Sequence, residues 1–184
     1  RTISRLLISA ALLVASGCIS LNTKEADHFE RAQEAFANDH WQIALDNASA
    51  VLTSRPHYVP ARVLKGKSQF QLRRFDDSLE TMLRLIDDVD PDDDPEAAFA
   101  AYFFAGRCQV EKGRAILPDS KLSDLAFSSD KRRASRDSFI AGNMHFRRSL
   151  EIAESDYDAL LWRGYCVFRL ENFRKAVEVF NLCE

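Results

Sequence analysis

Residues 41–85 read WQIALDNASAVLTSRPHYVPARVLKGKSQFQLRRFDDSLETMLRL, and the stretch matches itself after a fixed step. Trp41 and Phe75 stand 34 residues apart, as do Ala44 and Ser78, Ala48 and Met82, and Val51 and Leu85. Within each copy the matched positions follow one another at intervals of three and four, the spacing of one helix face. Self-similarity at a period of this length marks stacked supersecondary units rather than one closed core.

Working outward, a small residue precedes each aromatic by nine positions: Ala32, Gly66 and, near the end of the chain, Gly164 before Phe173. Ala176, Phe180 and Cys183 then follow Gly164 at the same offsets of 12, 16 and 19. Gly106 is a fourth anchor, but nine residues after it stands Ala115. A further shift of 24 restores the pattern as Phe139, Gly142, Phe146 and Ser149. An insertion, Arg114 to Asp137, is therefore expected between the two helices of the third unit, with its part near Lys131 to Arg136 extending the second helix backward. Helices are expected at 25–38, 41–54, 58–72, 75–88, 95–112, 132–154, 157–171 and 173–183.

The pattern resembles the tetratricopeptide repeat, a 34-residue helix–turn–helix unit. The anchor is small where the two helices of a pair approach closely, the aromatic opens the second helix, and a small residue three later lets that helix pack. Pro56 matches the closing proline of the family and Pro91 falls one residue late. The resemblance implies an all-α solenoid of helical hairpins, about three and a half repeats over residues 25–184, with a 24-residue insertion in the third. The repeats fall at about 25–58, 59–94, 95–156 (insertion 114–137) and 157–184, the last truncated.

Composition agrees with this reading. Six Gly and five Pro in 184 residues are too few for an all-β chain with many turns, and 46% hydrophobic residues are too many for disorder. A formal charge of −3 argues against a dedicated nucleic-acid binder. The first residue is Arg1 rather than Met, and Glu184 falls inside a helical pattern, as expected of a piece of a longer chain.

Residues 1–20, RTISRLLISAALLVASGCIS, stand apart from the repeats. Arg1 and Arg5, the uncharged run Leu6 to Ser16 and small residues before Cys18 form the three-part layout of a secretory signal, too short for a membrane span. Ala15-Ser16-Gly17-Cys18 resembles the lipobox of bacterial lipoproteins, although Ala15 stands where that family usually has Leu. The resemblance implies cleavage after residue 17, lipidation of Cys18, and residues 18–24 as a tether. Ile19, in place of an Asp retention signal, then favours the outer membrane facing the periplasm. An ordinary cleaved signal or an uncleaved anchor is the alternative. Removing residues 1–17 takes away two arginines and no acid, so the charge becomes −5.

Sites of chemistry are not evident. His28, His40, His57 and His145 form no HExxH pair, and Cys18, Cys108, Cys166 and Cys183 form no CxxC, so neither a metal nor another cofactor is expected. Cys108 and Cys166, two residues after their anchors, read as small buried apolar residues rather than as a disulfide. The acidic run DDVDPDDDPE at 87–96 fails the calcium-loop spacing, with Asp93 at the glycine place and Phe99 at the closing Glu place, and reads as a solvated loop between repeats. The basic cluster Lys131, Arg132, Arg133 and Arg136 reads as a solvated helix face.

The tetratricopeptide resemblance further implies a concave, peptide-binding face lined by three rows on the first helices. The rows are Phe29, Val63, Phe103 and Leu161; Gln33, Lys67, Arg107 and Tyr165; and Phe36, Phe70, Val110 and Phe168. Two apolar rows flank a middle row with two cations, so the expected ligand is a protein segment, apolar with some acidic character. The function expected is a non-enzymatic, membrane-anchored adaptor. The alternatives are a docking region for a catalytic domain beyond residue 184 and a self-associating lipoprotein that forms a homo-oligomer.

Overall fold

The structure, a computed structural model, describes residues 21–117 and 128–183. The signal segment 1–17, Cys18 and residues 118–127 of the insertion lie outside the described residues. Eight α-helices follow in order among those described: α1 Thr23–Ala37, α2 Trp41–Ser54, α3 Val59–Gln71, α4 Phe75–Asp88, α5 Pro95–Ile116, α6 Ser129–Ile152, α7 Tyr157–Arg169 and α8 Phe173–Phe180. A short 3-10 turn, Asn181–Cys183, follows α8, where a helix to 183 was expected. Each helix packs on the next, and the odd-numbered helices also touch one another in sequence, α1 on α3, α3 on α5 and α5 on α7. This is a solenoid of helical hairpins with the first helix of each pair on one side.

What sets the distance within each hairpin is a small residue facing a large one. A Cβ on Gly66 would run into Met82, one on Gly164 into Phe180, and one on Gly106 would stand 2.9 Å from the Phe146 ring. These partners are the residues 16 positions on, or 40 in the third unit with its insertion. The first unit solves the same problem with Ala32 and Ala48, both fully buried. The carbonyl oxygen of Gly66, laid open by the missing side chain, accepts a hydrogen bond from Ser78 Oγ at 2.8 Å.

The turns repeat as closely as the contacts. Asp39, Arg73 and Glu171 each lie seven residues after an anchor, and each has φ near +60°. In every case the amide of that residue bonds back three positions and the next amide bonds back five, as in Arg73 N to Phe70 O and Arg74 N to Gln69 O, both 2.9 Å. That is the Schellman arrangement, which closes the last turn of a helix through one left-handed residue. A side chain at such a position costs energy that glycine avoids. In the third unit the equivalent residue is Gly113, and its φ is not positive, because α5 runs straight through the place where the other units turn.

That read-through takes up the described ends of the insertion. Arg114–Ile116 lengthen α5, and residues 129–137 lengthen α6. The two extensions pack on each other: Ser135 Oγ donates to Gly113 O at 2.9 Å, and the Phe139 ring fills the space beside Gly113. From α7, Arg169 donates to Leu117 O at 2.6 Å and lies over the Phe139 ring at 4.3 Å. So the extra residues at each end of 114–137 are built into the solenoid rather than looped out from it.

The buried side chains form separate clusters along the stack, one around Phe70, Met82 and Leu85, another around Phe103, Phe139 and Phe146. Cys108 and Cys166 are free thiols in different clusters, pushed up to about 11 and about 12 by burial. At the far end α8 leaves Phe173 and Val177 more than half exposed. Among the described residues no helix is long and apolar enough to cross a membrane.

Gly106→Ala is expected to destabilise the array by about 1–2 kcal/mol, because overpacking against the fully buried Phe146 outweighs the gain in helix propensity. Glu171→Gly is expected to stabilise it by about 0.5 kcal/mol, through relief of the left-handed backbone. Urea denaturation followed by circular dichroism reads both, and the opposite order of midpoints would contradict this account.

Candidate functional site

The inner sides of α1, α3 and α5, with the α6–α7 turn, enclose a trough of two adjoining cavities. The first, of about 290 Å³, has Phe29, Val63 and Leu64 on its floor and Gln33 at its edge. The second, of about 520 Å³, is lined by Phe99, Phe103 and Phe104 from α5 and by Ile152 and Ala153 at the end of α6. Lys67, Glu96 and Ala100 line both, so the two are continuous.

The structure sorts the three expected rows by depth. From the first row, Phe29 sits edge-on to Tyr58 at 5.3 Å, Val63 is half-buried, and Phe103 stacks on Phe99 at 5.7 Å with 9% exposed. These three reach the trough. Leu161 does not; it lines a separate cavity of about 320 Å³ with Arg114, Trp162, Tyr165 and Phe180.

The third row behaves differently from expectation. Phe36 packs on Trp41 at 4.8 Å, Phe70 on Phe75 at 5.4 Å, and Phe168 on Phe173 at 5.6 Å. Val110 is fully buried and Phe70 is 9% exposed. The reason lies in the turn: Phe36, Phe70 and Phe168, four after their anchors, lie in the last turn of the first helix, where each meets the aromatic that opens the second, whereas Val110 lies inside the lengthened α5 in the cluster with Phe139 and Phe146. Three members of this row therefore close hairpins, and of the four only Phe36 also lines the trough.

In the middle row the cations are already engaged. Lys67 Nζ lies 5.7 Å from the centre of the Phe104 ring, and the Arg107 guanidinium lies 3.9 Å over Trp162 and 5.0 Å from Phe70. The two contacts share one register. The residue after the anchor in one repeat stacks on the residue two before the anchor in the next. Burial pulls both cations below their ordinary pKa, with Glu96 acting against this at Lys67 and Glu111 and Asp158 at Arg107. Arg107 Nε is buried with no hydrogen-bond partner. Tyr165, last in this row, accepts a hydrogen bond from Arg169 at 2.8 Å and sits edge-on to Trp162 at 5.8 Å.

Sequence reasoning missed Phe99, Phe104 and Trp162. Phe99 lies four residues before Phe103 on the same stripe, so extending that row by one helical step finds it, together with Val59 in the first cavity. Phe104 and Trp162 become visible only when positions before one anchor are compared with positions after the preceding one. Among the described residues no group of three His, Cys, Asp or Glu stands close enough to hold a metal ion.

A double-mutant cycle on Arg107→Ala and Trp162→Ala is expected to give a coupling of about 1 kcal/mol, the worth of a partly desolvated cation–aromatic contact. Additive effects on the unfolding midpoint would show that the stacking carries no energy between repeats.

Comparison with known proteins bears on the fold. Residues 29–95 match the sequence profile of the tetratricopeptide repeat family. No curated protein matches the chain. Among solved structures, a thermophilic tetratricopeptide-repeat protein of Thermus thermophilus is similar at 15% identity, covering 86% of this chain and 72% of its own, with a TM-score of 0.65. A MamA RS-1 double mutant covers 89% of this chain and 94% of its own at 12% identity, with a TM-score of 0.45. The all-helical architecture of the described chain is thus that of a tetratricopeptide-type solenoid.

Proposed function

We propose that this protein is a non-enzymatic adaptor that holds an extended segment of a partner protein along the inner side of α1, α3 and α5. One observation carries the reading: two adjoining cavities with aromatic and aliphatic floors, continuous across three helices of a solenoid. A face of this kind is open to solvent and apolar, and large exposed apolar patches mark interaction sites. Anchor side chains buried in such pockets supply most of the affinity of a typical interface.

Phe36 and Phe70, natural targets from the spacing alone, are poor probes, because both pack against the opening aromatic of a second helix. Val63 and Phe99 are better ones, since both are half-buried and line the trough. Val63→Gln combined with Phe99→Gln is expected to weaken partner capture at least about tenfold, a loss typical of removed anchor contacts, while far-UV circular dichroism stays unchanged. Full capture by the folded double variant would defeat the groove reading.

The adaptor works at a membrane in this proposal. The positive start, apolar run and small residues before Cys18 support a lipoprotein of the bacterial envelope, anchored through that cysteine and sorted to the outer membrane, with the repeats in the periplasm. Two or more acyl chains, at roughly 0.8 kcal/mol per buried CH₂, hold a protein stably on a bilayer. Cys18→Ser is expected to shift the protein from the membrane to the soluble fraction on ultracentrifugation. A variant that stays in the membrane pellet would overturn the lipid anchor.

A further inference from the structure

The stacked cations change what the trough can receive. From sequence, Lys67 and Arg107 suggest an acidic ligand. In the structure both lie over aromatic rings, Lys67 over Phe104 and Arg107 over Trp162, and carboxylates outnumber cations among the residues lining the trough. Asp94, Glu96, Asp156 and Asp158 line the two cavities, against the single ammonium of Lys67. Asp94 and Asp156 each give one oxygen to cap α5 and α7, accepting from Ala97 N and Ala159 N. Glu96 and Asp158 are exposed; each lies near enough to a middle-row cation to raise its pKa against the pull of burial, Glu96 that of Lys67 and Asp158 that of Arg107, and each keeps a solvent-facing carboxylate.

A second observation extends the field. The acidic loop between α4 and α5 runs directly into this rim, because Asp94 belongs to both. Asp90, Asp92 and Asp93 lie in a tight turn, where Asp92 N donates to Asp90 Oδ1 at 2.9 Å and Asp94 N to Asp90 O at 3.0 Å; Asp92 and Asp93 are exposed. The run that reads from sequence as a solvated linker thus divides: Asp87 and Asp88 end α4, where Asp88 pairs with Arg62, while Asp90, Asp92 and Asp93 lead in the chain to Asp94 and Glu96, which line the apolar trough. Low-dielectric walls focus such a field, raising the local concentration of the opposite charge and selecting against like-charged segments.

Resting on the groove reading above, we propose that the bound partner segment is basic: one or two bulky apolar side chains for the cavities, flanked by lysine or arginine that face Glu96, Asp158 and the 90–94 loop. The apolar side chains supply the affinity. The flanking charges supply the rate of encounter and the choice among partners, and this part of the binding is screened by salt.

The test uses the detergent-purified chain, immobilised, and three pools of degenerate ten-residue peptides with fixed Phe and Leu anchors. The flanks are Lys and Arg in one pool, Asp and Glu in the second, and Ser and Asn in the third. The basic pool is expected to be retained about tenfold better than the acidic pool at about 0.05 M salt, a preference that shrinks toward that of the neutral pool at about 0.5 M. Combining Asp92→Asn, Asp93→Asn, Glu96→Gln and Asp158→Asn is expected to bring the basic pool to within about twofold of the neutral pool while neutral peptides bind as before. Retention of the acidic pool equal to or above the basic pool overturns the charge inference and leaves the groove reading standing. Retention of no pool, with light scattering showing a dimer that the Val63→Gln and Phe99→Gln pair dissolves, assigns the trough to a second copy and overturns both. Retention of no pool by a monomer likewise overturns both.

Discussion

The close approach of two helices at one small residue is the constraint on which the rest of this structure depends. Gly66, Gly106 and Gly164 each receive a large side chain from the following helix, Met82, Phe146 and Phe180. Once that distance is set, the helices of a pair can share a short Schellman turn, as three of the four do, and each pair can pack on the next. The first helices then lie side by side on one face, and the trough is the space left between them. A solenoid built in this way has no single centre to lose; its stability sums over neighbouring contacts. The Lys67–Phe104 and Arg107–Trp162 stacks are such contacts, each joining one repeat to the next.

The third repeat shows how the constraint bends without breaking. A glycine stands at the turn position, yet the chain does not turn there. Instead α5 continues, and Gly113 becomes a second point of close approach, now to Phe139. The hairpin is longer, and in its extended part a glycine again faces a ring. Arg169 then ties the lengthened end to α7 through Leu117 O and Phe139. The described ends of the insertion thus add length to α5 and α6.

Much of the architecture was legible from the spacing of small and aromatic residues, because the contacts that set the fold lie at fixed offsets in sequence. The helices of the first two repeats fall where periodicity puts them, to within a few residues. Less of the site was legible. Periodicity tells which stripe a residue is on, but not how deep the stripe lies once a neighbouring helix covers it. That is why Val110 and Phe70, on the same stripe as Phe36, are buried between helices, and why Leu161 opens onto a different cavity. The cations were visible as residues, but their partners were not. Phe104 and Trp162 come from the next repeat, a relation that no single helix displays. The acidic run at 87–96 was visible as charge, while the place of Asp94 and Glu96 along the trough is a matter of three dimensions.

A partner segment held along the inner side of α1, α3 and α5 lies within reach of the trough edge and not of the exposed Met144 on α6. Site-specific photocrosslinking in cells addresses this most directly. One benzophenone residue would replace Gln33 at the edge of the trough, and another would replace Met144, which is 60% exposed on α6 and lines no part of the trough. The account predicts an adduct from position 33 that maps to one short apolar segment of a single partner, and none from position 144. An adduct from position 144 with none from position 33 would contradict it.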